Sequence, residues 1–159
     1  MGNNVVIGIE RVVQFLLDEQ RYAIPLSAVD RVVQSAEITS LPKAPKVVLG
    51  VLNVRGSLIP VVNIRQRFNL PRRPLHINDH FIIARTSQRM VICPVDAALG
   101  VVEYSENRIV ESVHVAPQLE YLKGILKLED GLTLIHDLDT FLSLDEEQDL
   151  DEAMKGFSS

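Results

Sequence analysis

A doubled order of short, β-branched runs is what most constrains this chain. The segment GVLNVRGSLIPVVN, Gly50–Asn63, is answered by GILKLEDGLTLIHD, Gly124–Asp137, fourteen residues each with no gap. Each is followed by an aliphatic residue and, a few positions on, a phenylalanine, Phe68 and Phe141. Upstream, Phe81-Ile82-Ile83 answers Phe15-Leu16-Leu17, and Asp96 stands where Ser27 stood. Val101-Val102 then follow Asp96 at the spacing with which Val32-Val33 follow Ser27. Short Val- and Ile-rich runs bounded by turn residues read as strands rather than helices. The order hairpin, cap, strand, proline loop, hairpin, short helix thus occurs twice, and several features matching in sequence favour a duplication over chance.

Within the first copy, Val12–Leu17 and Arg21–Pro25 make a hairpin about a polar tip. Ser27 is placed to cap a single helical turn, with Asp30 near its positive end. Glu37–Lys46 holds Pro42 and Pro45 and belongs to a loop or edge. Lys46–Val54 and Leu58–Val62 form the most apolar hairpin, where Gly56 supplies the positive φ of a tight turn. Asn63 caps a short helix, Ile64–Phe68, and Asn69–Pro74 is a linker. In the second copy Asp96 takes the capping position. After it, Ser143 and Glu146 have capping-box spacing, while Leu150, Met154 and Phe157 recur at helical intervals. Asp145–Ser159 therefore reads as a short docked helix or as a frayed acidic tail.

These elements predict an all-β fold with minor short helices. Each copy supplies about five strands, and so small a sheet protects its edges by curling. Two five-stranded antiparallel barrels, each with a thin core, must share an apolar interface to be stable. The expected domain is 1–144, with barrel halves near 11–70 and 80–144, intertwined or not, and a tail at 145–159.

A composition of 47% apolar and 23% charged residues is that of a globular protein and excludes a disordered chain. No apolar run reaches the roughly 18 residues of a membrane span, and the start MGNNVVIGIE lacks a signal-peptide pattern. A cytoplasmic location is expected. Residues 1–78 carry ten Lys and Arg against five Asp and Glu, whereas 79–159 carry six against sixteen. Such asymmetry favours partners steered by charge and suits head-to-tail association into rings.

Chemistry is nearly absent. No nucleophile elbow, zinc-protease, dinucleotide or P-loop motif occurs, so no catalytic residue, cofactor or metal is expected. His76 and His80 are four apart but flank a proline-rich linker, and read as solvated. His114 is isolated in sequence, and His136 in LTLIHD reads as a solvent-facing strand position. The single cysteine, Cys93, lies among apolar residues as an inert thiol. Arg65, Arg67, Arg72 and Arg73 are the best case for a nucleic-acid-binding barrel, yet only Phe68 lies near them, and its repeat partner Phe141 marks a core position. Arg55 differs. At the tip of the apolar hairpin beside Gly56, it reads either as a solvated turn charge or as a rigid recognition fork for a protein.

The segment GVLNVRGSLIPVVNIRQRF resembles the signature of the CheW family, adaptors of bacterial chemosensory arrays; Gly50, Asn53, Arg55, Gly56, Pro60 and Val61 fit it. FLLDEQRYAIPLSAVDRVV and ITSLPKAPKVVLG match upstream, and Val95-Asp96, Val101-Val102, Tyr121, Gly124 and Gly131 match downstream, so the likeness spans about 11–144. The resemblance implies two SH3-like barrels around a shared core and no catalysis. It implies a bridge between methyl-accepting chemoreceptor tips and the regulatory domain of a CheA-type histidine kinase. Arg55 is implied in receptor binding, in the groove between the barrels, with Asn53, Gly56, Gly50 and Val29 on further matched positions. No kinase-binding residue is implied. Arg31 stands where the family often has an acid, which leaves open an array controlling pili or development.

Overall fold

Alternation along each strand decides where its side chains go. The computed structural model describes residues 8–110 and 121–158; His114 lies outside them. Its strands are β1 (Ile9–Leu17), β2 (Gln20–Pro25), β3 (Val29–Gln34), β4 (Val48–Val54), β5 (Ser57–Val62), β6 (His80–Arg85), β7 (Met90–Val95), β8 (Ala97–Ser105), β9 (Ile109–Val110), β10 (Leu122–Leu128) and β11 (Gly131–His136). Among the described residues the regular structure also includes two helices, α1 (Ile64–Arg67) and α2 (Leu144–Ser158), and three single 3-10 turns. In β1, Phe15 and Leu17 point to one face and Val12 and Gln14 to the other. The first pair enters a core shared by both sheets, and the second enters a core private to its own.

The strands form two sheets, ordered β8-β1-β2-β11-β10-β9 and β3-β6-β7-β5-β4. The mostly β architecture with short helices is the one expected; its strands lie in two sheets, of five strands and, with the short β9, of six. Pairing is not wholly antiparallel: β2 runs parallel to β11, and β5 to β7. In each sheet, two hairpins are joined side by side through this parallel seam. The strand that follows the first hairpin of each copy crosses to the opposite sheet. Thus β3 leaves β2 to pair with β6, and β8 leaves β7 to pair with β1. Each sheet draws strands from both sequence copies.

Three apolar clusters result. Phe81, Ile83, Ile92, Ile59 and Val61 fill the five-stranded sheet. Val12, Ala23, Leu126 and Ile135 fill the six-stranded one, where Gln14 Nε2 donates to Thr133 Oγ1 at 2.8 Å so that neither buried amide nor hydroxyl is orphaned. The largest cluster lies between the sheets and includes Phe15, Leu17, Ile24, Ile82, Val91, Cys93, Phe141 and Leu150. Each fully buried large side chain there contributes about 1.5–3 kcal/mol.

The end of the chain is the helix α2. Ser143 Oγ accepts from the Glu146 N–H at 3.1 Å, and a Glu146 carboxylate oxygen accepts from the Ser143 N–H at 3.0 Å, a reciprocal capping box. Leu150 and Ala153 are buried, and Met154 and Phe157 pack beside them. Asn63 caps α1 by accepting from the Gln66 N–H. The two other expected caps do not form. The 3-10 turn Leu26–Ala28 follows directly on Pro25, so Ser27 lies inside it with no side-chain cap bond, and Asp30 falls within β3. Asp96 has no helix to cap because β8 begins at Ala97.

Candidate functional site

Four of the five sequence-expected recognition residues, Gly50, Asn53, Arg55 and Gly56, lie on the β4–β5 hairpin, and Val29 lies on β3. Val54 pairs with Ser57, leaving a two-residue loop of Arg55 (φ 52°) and Gly56 (φ 88°). Both residues are left-handed, the geometry of a type I′ turn, which continues the twist of its strands. Asn53 Oδ1 accepts from the Gly56 N–H at 2.9 Å and closes the turn from outside. Arg55 is thereby exposed on a fixed base, and among the described residues no carboxylate pairs with it. Asn53 and Gly56 shape the turn.

Gly50 acts elsewhere. A Cβ there would lie 2.3 Å from the carbonyl oxygen of Thr39, whose backbone bridges Val51. It sits at a register shift between Val48 and Gly50, and its repeat partner Gly124 sits at a matching shift in β10, where a Cβ would meet Ile109 at 2.7 Å. Gly50→Ala is expected to destabilise the fold by about 2–3 kcal/mol, read as a lower urea midpoint. Gly56→Asn should cost far less, because open space surrounds a Cβ there and asparagine tolerates the left-handed region. Val29 opens β3 opposite Ala84, half-buried against the shared core.

Arg55 borders a groove of about 440 Å³ lined by Val54, Leu58, Ile59, Pro60, Ile83 and Met90, with Asp30, Arg31, Arg85 and Arg89 around them. Met154 of α2, rather than the six-stranded sheet, bounds it on the other side. Arg31 pairs with Asp30 at 2.8 Å. Arg89 is held by Glu147 at 2.7 Å and by Asp151, both on α2. Arg85 was missed at the sequence level: it ends β6 with no motif around it, and only the pairing of β6 with β3 and β7 brings it here.

The basic cluster is mostly neutralised from within. Arg65 is buried and bonds Asp96 at 2.7 Å and Asp18 at 2.8 Å. Arg73 bonds Asp79 at 2.7 Å and Asp96 at 2.6 Å. Arg67 pairs with Glu146, donates to the Phe141 carbonyl at 2.9 Å, and lies over the Tyr121 and Phe141 rings. Of the four only Arg72 is exposed, so these arginines do not form the open basic face that a nucleic acid requires. Basic residues of 1–78 thus find acids of 79–159 inside one fold, and the charge asymmetry along the chain is not one between two lobes.

His136 does not face solvent. It is 1% exposed, its ring 5.0 Å from Phe68 and 5.6 Å from Phe141, and neither nitrogen has a hydrogen-bond partner. The hairpin turns this face of β11 toward the shared core, and burial drives its pKa down to about 3. His80 is half-buried, and its Nδ1 accepts from the Ala98 N–H at 2.9 Å, tying β6 to β8; His76 is exposed. Burial pushes the Cys93 thiol up to about 12, leaving no thiolate for chemistry. Among the described residues, no group of His, Cys, Asp and Glu is placed to hold a metal, and no helix is long and apolar enough to cross a membrane.

A two-sheet body carrying an arginine fixed on a tight turn offers a surface for binding, and comparison gives its kind. The model of the CheW-like domain matches residues 11–146. The chain belongs to the CheW family. The chemotaxis protein CheW of Thermotoga maritima is 31% identical over 132 residues, covering 82% of this chain and 86% of that one. CheW of Bacillus subtilis is 28% identical over 142 residues, covering 87% and 90%. The crystal structure of the scaffolding protein TtCheW from Thermoanaerobacter tengcongensis superposes with a TM-score of 0.79 at 27% identity, over 87% of this chain and 96% of that one. CheW is a family of adaptor scaffolds.

Proposed function

We propose that this CheW-family chain is a non-enzymatic, cytoplasmic scaffold that couples a methyl-accepting chemoreceptor's tip to the regulatory domain of a CheA-type histidine kinase. Arg55 carries the reading: a guanidinium fixed by a type I′ turn, without a carboxylate partner among the described residues, at the mouth of an apolar groove. Edge strands with exposed apolar side chains, Val32 on β3 and Leu99 and Val101 on β8, suit docking of like-folded domains, including the kinase's, into a ring. By holding kinase and receptor in register, the scaffold lets a change in one shift the populations of the other. Chemotaxis relatives favour that pathway over one for pili or development. Engagement of Arg65, Arg67 and Arg73 by internal acids disfavours the nucleic-acid alternative.

Arg55→Glu is expected to weaken co-sedimentation with receptor hairpin fragments at least about tenfold, with an unchanged circular dichroism spectrum and melting temperature. Unchanged binding would remove Arg55 from the receptor site. Failure of the unaltered chain to bind any receptor hairpin, with or without kinase, would overturn the function.

A further inference from the structure

Arg72 is the member of the basic run that no acid neutralises. It is exposed, and among the described residues no carboxylate pairs with it. Its backbone is nonetheless held on both sides. Arg65 Nη1 donates to the Pro71 carbonyl at 3.3 Å, and the Arg73 guanidinium is fixed by Asp79 and Asp96. The Leu70 N–H donates to the Arg65 carbonyl at 2.9 Å, so the linker lies close along α1. An arginine on so fixed a base has little freedom to lose on binding.

Two clefts meet at this residue, since both are lined by Arg72, Arg65 and Asn63. The first, of about 580 Å³, holds three cations, Lys46, Arg65 and Arg72, and three amides, Asn63, Gln66 and Asn69; among the described residues no carboxylate lines it. Lys46 is exposed and, like Arg72, has no carboxylate partner there. Asn63 Oδ1 is committed to the Gln66 N–H, which leaves its amide nitrogen free to donate. The second cleft, of about 380 Å³, has apolar walls in Leu49, Pro74, Leu75 and Pro94. Its acids, Asp79 and Asp96, are already bound to Arg73 and Arg65. Positive charge and amide donors thus converge beside an apolar wall. A phosphate group matches the first cleft better than a carboxylate does: it carries more charge and a third oxygen, enough to engage the arginine fork, the lysine and an amide together. Clefts of this size take one small molecule, unlike the open face that a polynucleotide needs.

We propose that this double cleft binds a small organic phosphate, its phosphate group on Arg72 and Lys46 and its apolar body against Leu49, Pro74 and Leu75. The site shares no residue with the groove beside Arg55, and it stands independently of the scaffold function proposed above.

Isothermal titration of the full chain at about pH 7.5, where a phosphate monoester carries nearly two charges, tests this with phenyl phosphate, inorganic phosphate and phenol. Phenyl phosphate is expected to saturate a single site at least about fivefold tighter than inorganic phosphate, because its ring leaves water. Phenol, which lacks the charge, should not saturate. Arg72→Gln is expected to weaken phenyl phosphate at least about tenfold, through the loss of charge-assisted hydrogen bonds, and Lys46→Gln about fivefold, both with unchanged melting temperature. Lys127→Gln, an exposed change on β10 outside both clefts, should leave binding as it is. Absence of saturable binding of either phosphate below about 10 mM overturns the proposal. So does binding that Arg72→Gln leaves unchanged, or that Lys127→Gln weakens equally. Equal affinity for phenyl phosphate and inorganic phosphate removes the apolar walls from the site and overturns the organic class of ligand.

Discussion

Arg65→Ala is expected to lower the unfolding free energy by about 3 kcal/mol, the low end of what removing one partner of a buried ion pair costs. The Arg65 side chain is 10% exposed, and the Asp18 and Asp96 side chains left behind are 37% and 25% exposed, so water relieves part of the penalty. The loss is large because Arg65 ties together three parts of the fold. Asp18 lies in the β1–β2 turn, Asp96 between β7 and β8, and Arg65 itself on α1. Asp96 also accepts from the Asp18 N–H at 2.9 Å and from Arg73. In urea melts, the double variant Arg65→Ala/Asp96→Ala should be less unstable than the two single changes added together, because each single change strands a charge that the double change removes. Strict additivity would show the groups to be independent. For Asp96, burial alone would push the carboxyl up, but hydrogen bonds from Arg65, the Asp18 backbone and Arg73 outweigh it and hold the group below the usual carboxylate range. Its folded pKa is thus depressed. The stability it contributes is present above about pH 4 and is lost as pH falls through the folded value.

His136→Phe is expected to change acid stability more than any other single substitution at a titratable position. The folded pKa of His136 is about 3, against an ordinary value of 6.5. Between those values the unfolded chain binds a proton that the folded chain excludes, so stability falls as pH drops below about 6.5 and keeps falling towards 3. At about 1.36 kcal/mol per pH unit, the histidine costs roughly 2–3 kcal/mol at pH 4.5. Phenylalanine fits a site already formed by Phe68 and Phe141 and leaves no ring nitrogen unpartnered. The variant should therefore match or slightly exceed the unaltered chain in urea stability at pH 7.5, and exceed it by those 2–3 kcal/mol at pH 4.5. Parallel pH profiles for the two proteins would place the acid sensitivity on other groups.

The hairpins, the Asn63 cap, the capping box of α2 and the turn at Arg55-Gly56 were all legible, because each depends on residues within a few positions of one another. The exposure of Arg55 on a rigid turn was legible for the same reason. The misreadings share the opposite cause. His136 alternates correctly along β11, but which face of that strand is dry depends on Phe68 and Phe141 arriving from α1 and the following turn. Arg65 and Arg73 form a basic cluster in sequence; the acids that neutralise them sit up to 47 positions away in the chain, as Asp18 and Asp96 do from Arg65. Arg85 carried no local signal and entered the site only through strand pairing.

By itself, the sequence determined the strands, their turns, the repeated order of elements and the family, since side-chain period, turn geometry and motif spacing are local or additive properties. Only the tertiary structure decided that each copy divides its strands between the two sheets, that parallel seams join the hairpins, and which charges remain unpaired. Those outcomes depend on contacts between segments far apart in the chain, and pairing between distant segments follows from packing and desolvation of the whole rather than from any pattern within a window.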